Sequence, residues 1–378
     1  MAGNDPRMHL SWPRKLRLTR RNLEHWMRNF LLRFFRTLWC RTQPGDIRSP
    51  LNPAEVLSGV RRILLLRTGR SIGDAVMALV LIPECRRLFP TGSVDLLLRD
   101  NVAPLFNRGS GADCVLELHP RFLLWPAATW RLLRHLRCNR YDFVVACDSP
   151  YKSSLTTIGL GLFTGARWRL GFENEESRSF FNITVSPVRG DRMIGNLLRL
   201  LSILGPMPTA AMPHLQVSAE LPGEIVRTLG AGARPVLVFV PQHWRKSWPL
   251  DAFLRVAGGL LELKHPVILA FGPGDTRTED TRVRAWLERS GGRARLLPSL
   301  PLDVFASTVA KTRLFISNDC GPYHLAVAVG VPSVAAFLSA DALNDFAYRR
   351  EGQHVAIHHP DPAEAERLTI QAALHLLR

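Results

Sequence analysis

Near its C-terminus the chain reads Leu314-Phe-Ile-Ser-Asn-Asp319-Cys320-Gly321-Pro322-Tyr-His324-Leu-Ala-Val-Ala-Val. An apolar run breaks at polar residues, passes through Gly-Pro and opens an Ala- and Val-rich stretch. That is the pattern of a strand, a tight turn and a helix start. At such a junction the first helical N–H groups lack intrahelical acceptors, and the positive end of the helix dipole lies behind them. The chemistry this suits is anion binding, most often of a phosphate. His324 falls in the first turn of that helix, where an imidazole can meet the anion. Asp319 serves there equally as a cap or as a ligand orienter.

A second junction of the same type, Ile63-Leu-Leu-Leu-Arg67-Thr-Gly-Arg70-Ser-Ile-Gly73-Asp74-Ala, lies near the other end. Its glycine spacing does not fit G-x-G-x-x-G, and no acidic residue closes the second strand in the right place, so a dinucleotide fingerprint is weak. Taken alone, Asp74 reads as the N-cap of the helix that follows. In the second half, Val240-Pro-Gln-His-Trp-Arg245-Lys246-Ser-Trp-Pro249 follows a strand, with Pro249 suited to a first helical position. Lys246 at the mouth of that helix is a phosphate clamp in waiting. Gly272-Pro-Gly-Asp275 ends the next strand, and Glu279 and Asp280 open the following helix, where they can hold ribose hydroxyls or complement the dipole.

These loops need strands and helices to position them, and an alternation of the two begins at Val60. The pattern predicts strands over 62–67, 94–98, 114–117, 142–147 and 182–185, then over 236–240, 266–271, 294–297, 313–316 and 333–337. Helices are predicted over 74–88, 127–138, 152–163 and 192–204, then over 250–263, 278–290, 302–310, 322–329 and 363–377. Gly205-Pro-Met-Pro208 through Pro213 reads as a crossing between two units. The expectation is two Rossmann-like α/β domains facing across a cleft. They span 60–212 and 213–378, with the last helix free to pack back on the first domain. No sequence repeat links the two sets.

Residues 1–59 differ. Eleven Lys and Arg stand against three Asp and Glu in residues 1–50, out of a formal net charge of +17 for the chain. Leu23, Trp26, Met27, Phe30, Leu31, Phe34, Phe35, Leu38 and Trp39 recur at helical spacing, with Arg28, Arg33 and Arg36 off that stripe. A helix of this kind either lies in a membrane interface or docks on the protein's own core; residues 41–59 read as a linker. The charge calls for a polyanionic partner, but no nucleic-acid-binding signature accompanies it, so nucleic acid ranks low. The six cysteines form no C-x-x-C pair and read as buried thiols, with no metal site. Neither a transmembrane stretch nor a signal peptide is recognisable, which suggests a cytosolic protein attached at a surface.

The loops together resemble the ADP-heptose:lipopolysaccharide heptosyltransferases, inverting glycosyltransferases of the GT-B fold. The likeness runs from about residue 60 to about 340. It rests on 63–83 with Gly73-Asp74, on Lys246-Ser-Trp-Pro249, on Tyr141-Asp-Phe-Val-Val145 with Gly165-Ala-Arg167 and Arg169-Leu-Gly-Phe172, and above all on Ser317 to Leu325. The resemblance implies that Asp74 is the general base and that Lys246 meets the donor diphosphate. It further implies that Asp319, Cys320, Gly321 and His324 form the donor turn, and that acidic residues near Glu279 contact the nucleoside. It implies a nucleotide-sugar donor, probe-worthy first as ADP-heptose, no metal or other cofactor, and a lipid-anchored saccharide acceptor at the cytoplasmic face of the inner membrane. Residues 1–40 would meet that anionic surface. Charge and position suggest Arg67, Arg70, Arg167, Arg169 and Arg178 for acidic groups of the acceptor. The chain departs from the family at Cys320, where Ser or Thr is usual, over 337–341, and in its basic extension. Another sugar-nucleotide enzyme of the same architecture, such as an epimerase, and a non-catalytic binder are the rival readings.

Overall fold

Runs such as Arg62-Ile-Leu-Leu-Leu66, Val236-Leu-Val-Phe-Val240 and Val267-Ile-Leu-Ala-Phe271 are apolar almost throughout. Strands with no polar alternation belong in parallel sheets covered on both faces. The computed structural model describes residues 52–107, 109–119, 126–151, 154–174, 177–230, 232, 234–242 and 247–378. It contains two such sheets. The first is built from β1 (Arg62–Leu66), β2 (Ser93–Arg99), β3 (Cys114–Leu118), β4 (Phe143–Ala146), β5 (Trp168–Phe172) and β6 (Ile183–Val185), in the order β3-β2-β1-β4-β5-β6. The second contains β7 (Val236–Val240), β8 (Val267–Phe271), β9 (Ala294–Leu296), β10 (Leu314–Asn318), β11 (Ser333–Ala336) and β12 (His354–Ile357), in the order β12-β11-β10-β7-β8-β9. Neighbouring strands pair in parallel throughout both sheets.

Each sheet therefore reverses its winding once, between β1 and β4 in the first and between β7 and β10 in the second. In open α/β sheets a ligand crevice opens at that reversal, outside the carboxyl ends of the strands. The halves repeat a topology without repeating a sequence.

Several local expectations need correction. The helix expected over 74–88 is two helices, Ile72–Ala78 and Leu81–Leu88. Pro83 has no N–H for a continuous helix, and it lies in the first turn of the second piece, where none is needed. Strands β5 and β12 were not anticipated, and residues 53–59, read as linker, form a helix capped by Asn52. The last helix, Pro362–Leu377, does not return to the first domain. It packs on the helix Leu250–Glu262 and on β10–β12, and Arg255 grips Glu366 with two hydrogen bonds of 2.8 Å. The amphipathic segment 22–40 lies outside the described residues.

One apolar core runs through both halves. Met77 and Leu79 from the first belong to the same cluster as Tyr323, Leu325 and Phe337 from the second. The crossing chain is fastened to both sides at consecutive residues. Leu215 N–H donates to Ala328 O at 2.9 Å and Gln216 N–H to Gly109 O at 3.0 Å.

His354 on β12 is buried, with its Nδ1 3.0 Å from Ser333 Oγ. Burial, assisted by the charge of Arg350, lowers its pKa to about 4. Between that value and the ordinary histidine range the unfolded chain binds a proton that the native chain does not, so stability rises with pH across this window. Urea unfolding is expected to give a loss of about 2 kcal/mol between pH 6.5 and pH 4 that His354→Asn reduces. An identical pH slope in the variant would assign the loss to other groups.

Candidate active site

The first half presents its polar residues where β1 and β4 part. β1 ends at Leu66, and Arg67 and Thr68 continue from it, both buried. Ser71 caps the helix Ile72–Ala78, its side chain accepting from Asp74 N–H at 3.3 Å. This fixes Asp74 in the first turn, with about a third of its side chain open to solvent. Arg67 Nη2 donates to Asp74 Oδ2. Arg67 Nη1 donates to Asp148 Oδ1 at 3.0 Å, and Asp148 stands just beyond β4. The Thr157 hydroxyl and Thr68 N–H also donate to Asp148. Burial raises the Asp148 carboxyl above its ordinary range, while Arg67 and these donors act against that rise.

The second half answers with the junction after β10. Ser317 Oγ donates to Phe239 O at 2.9 Å, and Asn318 accepts from Trp248 N–H and donates to Ala336 O, both at 2.8 Å. These bonds tie the end of β10 to β7, to β11 and to the loop after β7. Cys320 takes an extended conformation at the N-cap of the helix Gly321–Ala328 and offers it no side-chain cap. Burial pushes its thiol up to about 12, with the Ser317 hydroxyl 3.3 Å away. Cys320 is therefore a neutral thiol at physiological pH, unsuited to nucleophilic attack.

The two junctions meet. A Cβ built on Gly73 would lie 2.5 Å from His324 Cδ2, and one built on Gly321 would lie 3.0 Å from Ile72 Cβ. Two helix first turns, one from each half, are thus packed nearly backbone to backbone. His324 is buried, with Nδ1 3.0 Å from the Tyr348 hydroxyl and Nε2 3.7 Å from Asp319 Oδ1. Tyr323 beneath it accepts Tyr348 N–H at 2.9 Å. Asp74 follows Gly73 directly, in the first turn of the helix that packs against the turn at Gly321.

Of the remaining expected site residues, Lys246 lies outside the described residues. Glu279 is exposed on the short turn Thr276–Glu279, where it lines an open groove with Gly272, Gly274, Asp275 and Leu296 beyond β8 and β9. Arg70 is exposed on the loop between β1 and Asp74. Three arginines depart from the expected acceptor role. Arg67 is buried and committed to two carboxylates. Arg169 is buried inside β5, donating to the carbonyls of Ala166 and Phe180, and burial lowers its pKa to about 10. Arg167 sits at the amino end of β5, away from the crevice, paired with Glu55 and stacked 4.6 Å from the Trp168 ring centroid. Arg178 pairs with Glu173 at 2.8 Å. Sequence reasoning missed Asp148 and Tyr348. Asp148 had a usable signal, since it is a carboxylate directly after the fourth strand, beside the winding reversal. Among the described residues no group of three or more His, Cys, Asp or Glu is placed to hold a metal ion.

Residues 129–373 match the sequence model of glycosyltransferase family 9 (heptosyltransferase). The chain belongs to this family. It is a glycosyltransferase. It is 26% identical over 311 residues to lipopolysaccharide heptosyltransferase 1 of Pseudomonas aeruginosa, covering 79% of this chain and 84% of that one. Two solved structures share the fold. A family 9 glycosyl transferase from Veillonella parvula matches with a TM-score of 0.69 at 17% identity, covering 87% of this chain and 98% of that one. The ADP-heptose lps heptosyltransferase II of E. coli matches with a TM-score of 0.65 at 20% identity, covering 84% and 98%. The two parallel-sheet α/β domains form a GT-B architecture, the fold shared with these solved structures.

A side chain at position 73 must displace the His324 ring. Gly73→Ala is expected to lower unfolding free energy by about 1–3 kcal/mol, the usual cost of overpacking, and to reduce transfer because the two junctions are forced apart. A variant that unfolds with the parent and turns over normally would mean that His324 yields freely.

Proposed function

We propose that this glycosyltransferase moves a heptose from ADP-heptose to a hydroxyl of a lipopolysaccharide core, by one in-line displacement with inversion. The observation that carries the reading is the seam between Gly73 and His324, which sets Asp74 beside the turn Asp319-Cys320-Gly321. The names of the relatives supply the sugar and the acceptor class.

In this reading the acceptor alcohol gives its proton to Asp74. Arg67 holds Oδ2, which turns Oδ1 to the incoming hydroxyl. The leaving diphosphate gathers charge as the glycosidic bond breaks. The N–H groups opening the helix Gly321–Ala328, with the dipole behind them, meet that charge at no reorganisation cost. Lys246 adds a point charge, and Glu279 and its groove receive the nucleoside. No cofactor beyond the donor is required by these steps. Arg70, exposed at the mouth of the crevice, remains for acidic groups on the acceptor.

A general base contributes about a hundred- to ten-thousandfold in rate. Asp74→Asn is expected to lose that much turnover while binding ADP within about twofold of the parent, as read by calorimetry. Near-normal turnover would remove Asp74 from the role.

We also place the enzyme at the cytoplasmic side of the inner membrane, held there by residues 1–40. No helix among the described residues is long and apolar enough to cross a bilayer. The arm combines a basic stretch with an apolar stripe, the two signals that stable surface attachment needs. Deleting residues 1–40 is expected to abolish co-sedimentation with phosphatidylglycerol-containing vesicles. Equal sedimentation of the truncated protein would reject the anchor.

A further inference from the structure

Arg67 is buried, yet it is shared between two carboxylates of unlike surroundings. Asp74 is partly open to the crevice, whereas Asp148 is almost fully enclosed. Asp148 cannot turn. Arg67 Nη1 and Thr68 N–H hold its Oδ1, and the Thr157 hydroxyl holds its Oδ2. Thr157 Oγ1 is itself 2.8 Å from Thr68 Oγ1, which is 2.9 Å from Ser154 Oγ. A buried arginine needs one counter-charge, and Asp148 provides it completely. The second carboxylate, the one facing the crevice, is therefore surplus to burying Arg67.

We infer that Asp148 is a positioning residue for the transfer reaction, which through Arg67 fixes the Asp74 carboxylate and keeps Arg67 paired when Asp74 becomes neutral. The inference rests on Asp74 being the base. At rest the three groups carry a net charge of −1. When Asp74 takes the acceptor's proton, the pair Arg67–Asp148 is left neutral and hydrogen-bonded. Without Asp148 the same protonation would leave Arg67 as a buried cation with no counter-ion, which opposes proton uptake. Asp148 thus lets a carboxylate be gripped by a guanidinium and still act as a base.

The charged groups nearest Asp74 are Arg67 and Arg70 on the loop before it, Asp148 beyond Arg67, and, from the other half, Asp319 just before the facing helix and His324 in it. Replacing Asp148 by Asn leaves the field of Arg67 to act on Asp74 alone. That field favours the ionised carboxylate. The acid limb of the rate profile, which reports Asp74 taking a proton, then moves to lower pH, and the plateau falls because the base is weaker.

The test uses the full chain with ADP-heptose and a truncated lipopolysaccharide acceptor. Asp148→Asn is expected to lower kcat by roughly ten- to a hundredfold, the scale of a mispositioned catalytic group, with KM and ADP affinity within about twofold. The acid limb should move down by roughly one pH unit. Removing both charges in Arg67→Gln/Asp148→Asn should restore part of the lost kcat, because the grip on Asp74 goes with Arg67. If Asp148→Asn does not fold, Thr157→Val, which removes a donor to Asp148, is expected to lower kcat by about threefold with the parent's KM. Unchanged kcat and acid limb in Asp148→Asn, a loss of rate with an unmoved limb, or for Thr157→Val the parent's kcat, would each overturn the inference. In those cases an inactive Asp74→Asn leaves the base assignment standing. An active Asp74→Asn would end both.

Discussion

The seam where Gly73 meets His324 is the contact on which the rest of the candidate site depends, because the loop after β1 and the turn after β10 are brought together there. Helix first turns carry unpaired N–H groups and positive potential, so bringing two of them together is not favourable in itself. Apolar contact supports it. The core is continuous beneath the seam, and Tyr323, Tyr348 and Phe346 surround the imidazole with ring centroids 5.3, 5.5 and 6.3 Å away. His324 is consequently more a wall than a free hand. One ring nitrogen is engaged by Tyr348 and a ring edge closes on Gly73, so its remaining polar reach is toward Asp319.

Around that wall the charges are layered by depth. Arg67 and Asp148 lie inside, Asp74 lies at the surface of the crevice, and the helix opening at Gly321 lies opposite. A negative group thus borders a site that attracts negative groups. Arg67 stands behind Asp74, while the N–H groups that open the helix Gly321–Ala328 belong to the other half. In the proposed reaction the proton acceptor and the leaving-group site are thereby close without cancelling one another, as a single displacement demands of its two ends.

Much of this was legible in the residues. Two-sided apolar runs such as 236–240 announced buried parallel strands, and Asn-Asp-Cys-Gly-Pro-Tyr-His announced a strand-to-helix junction. What escaped reading depended on contacts distant in sequence. Gly73 was visible as half of a motif, but its steric reason sits some 250 residues away at His324. Arg67 looked available, although Asp74 seven residues on pairs it, and its second counter-charge at Asp148 comes only with the β1–β4 adjacency. Arg167 and Arg169 were read as acceptor contacts from charge and position, without the strand Trp168–Phe172 that begins just after the first and carries the second. Once it is a strand, one arginine points into the fold and the other stands at the wrong end.

The stitches at Leu215 and Gln216 have a mechanical corollary. Leu215 is bonded to Ala328, the last residue of the helix that begins at Gly321. At 1.5 Å per residue, that attachment lies only about 10 Å from the seam. A turn of ten degrees about such a fulcrum sweeps the first turn of this helix through less than about 2 Å, by the same length, while more distant rims swing wider. Any opening of the outer lips about this point would leave the innermost contacts nearly unmoved.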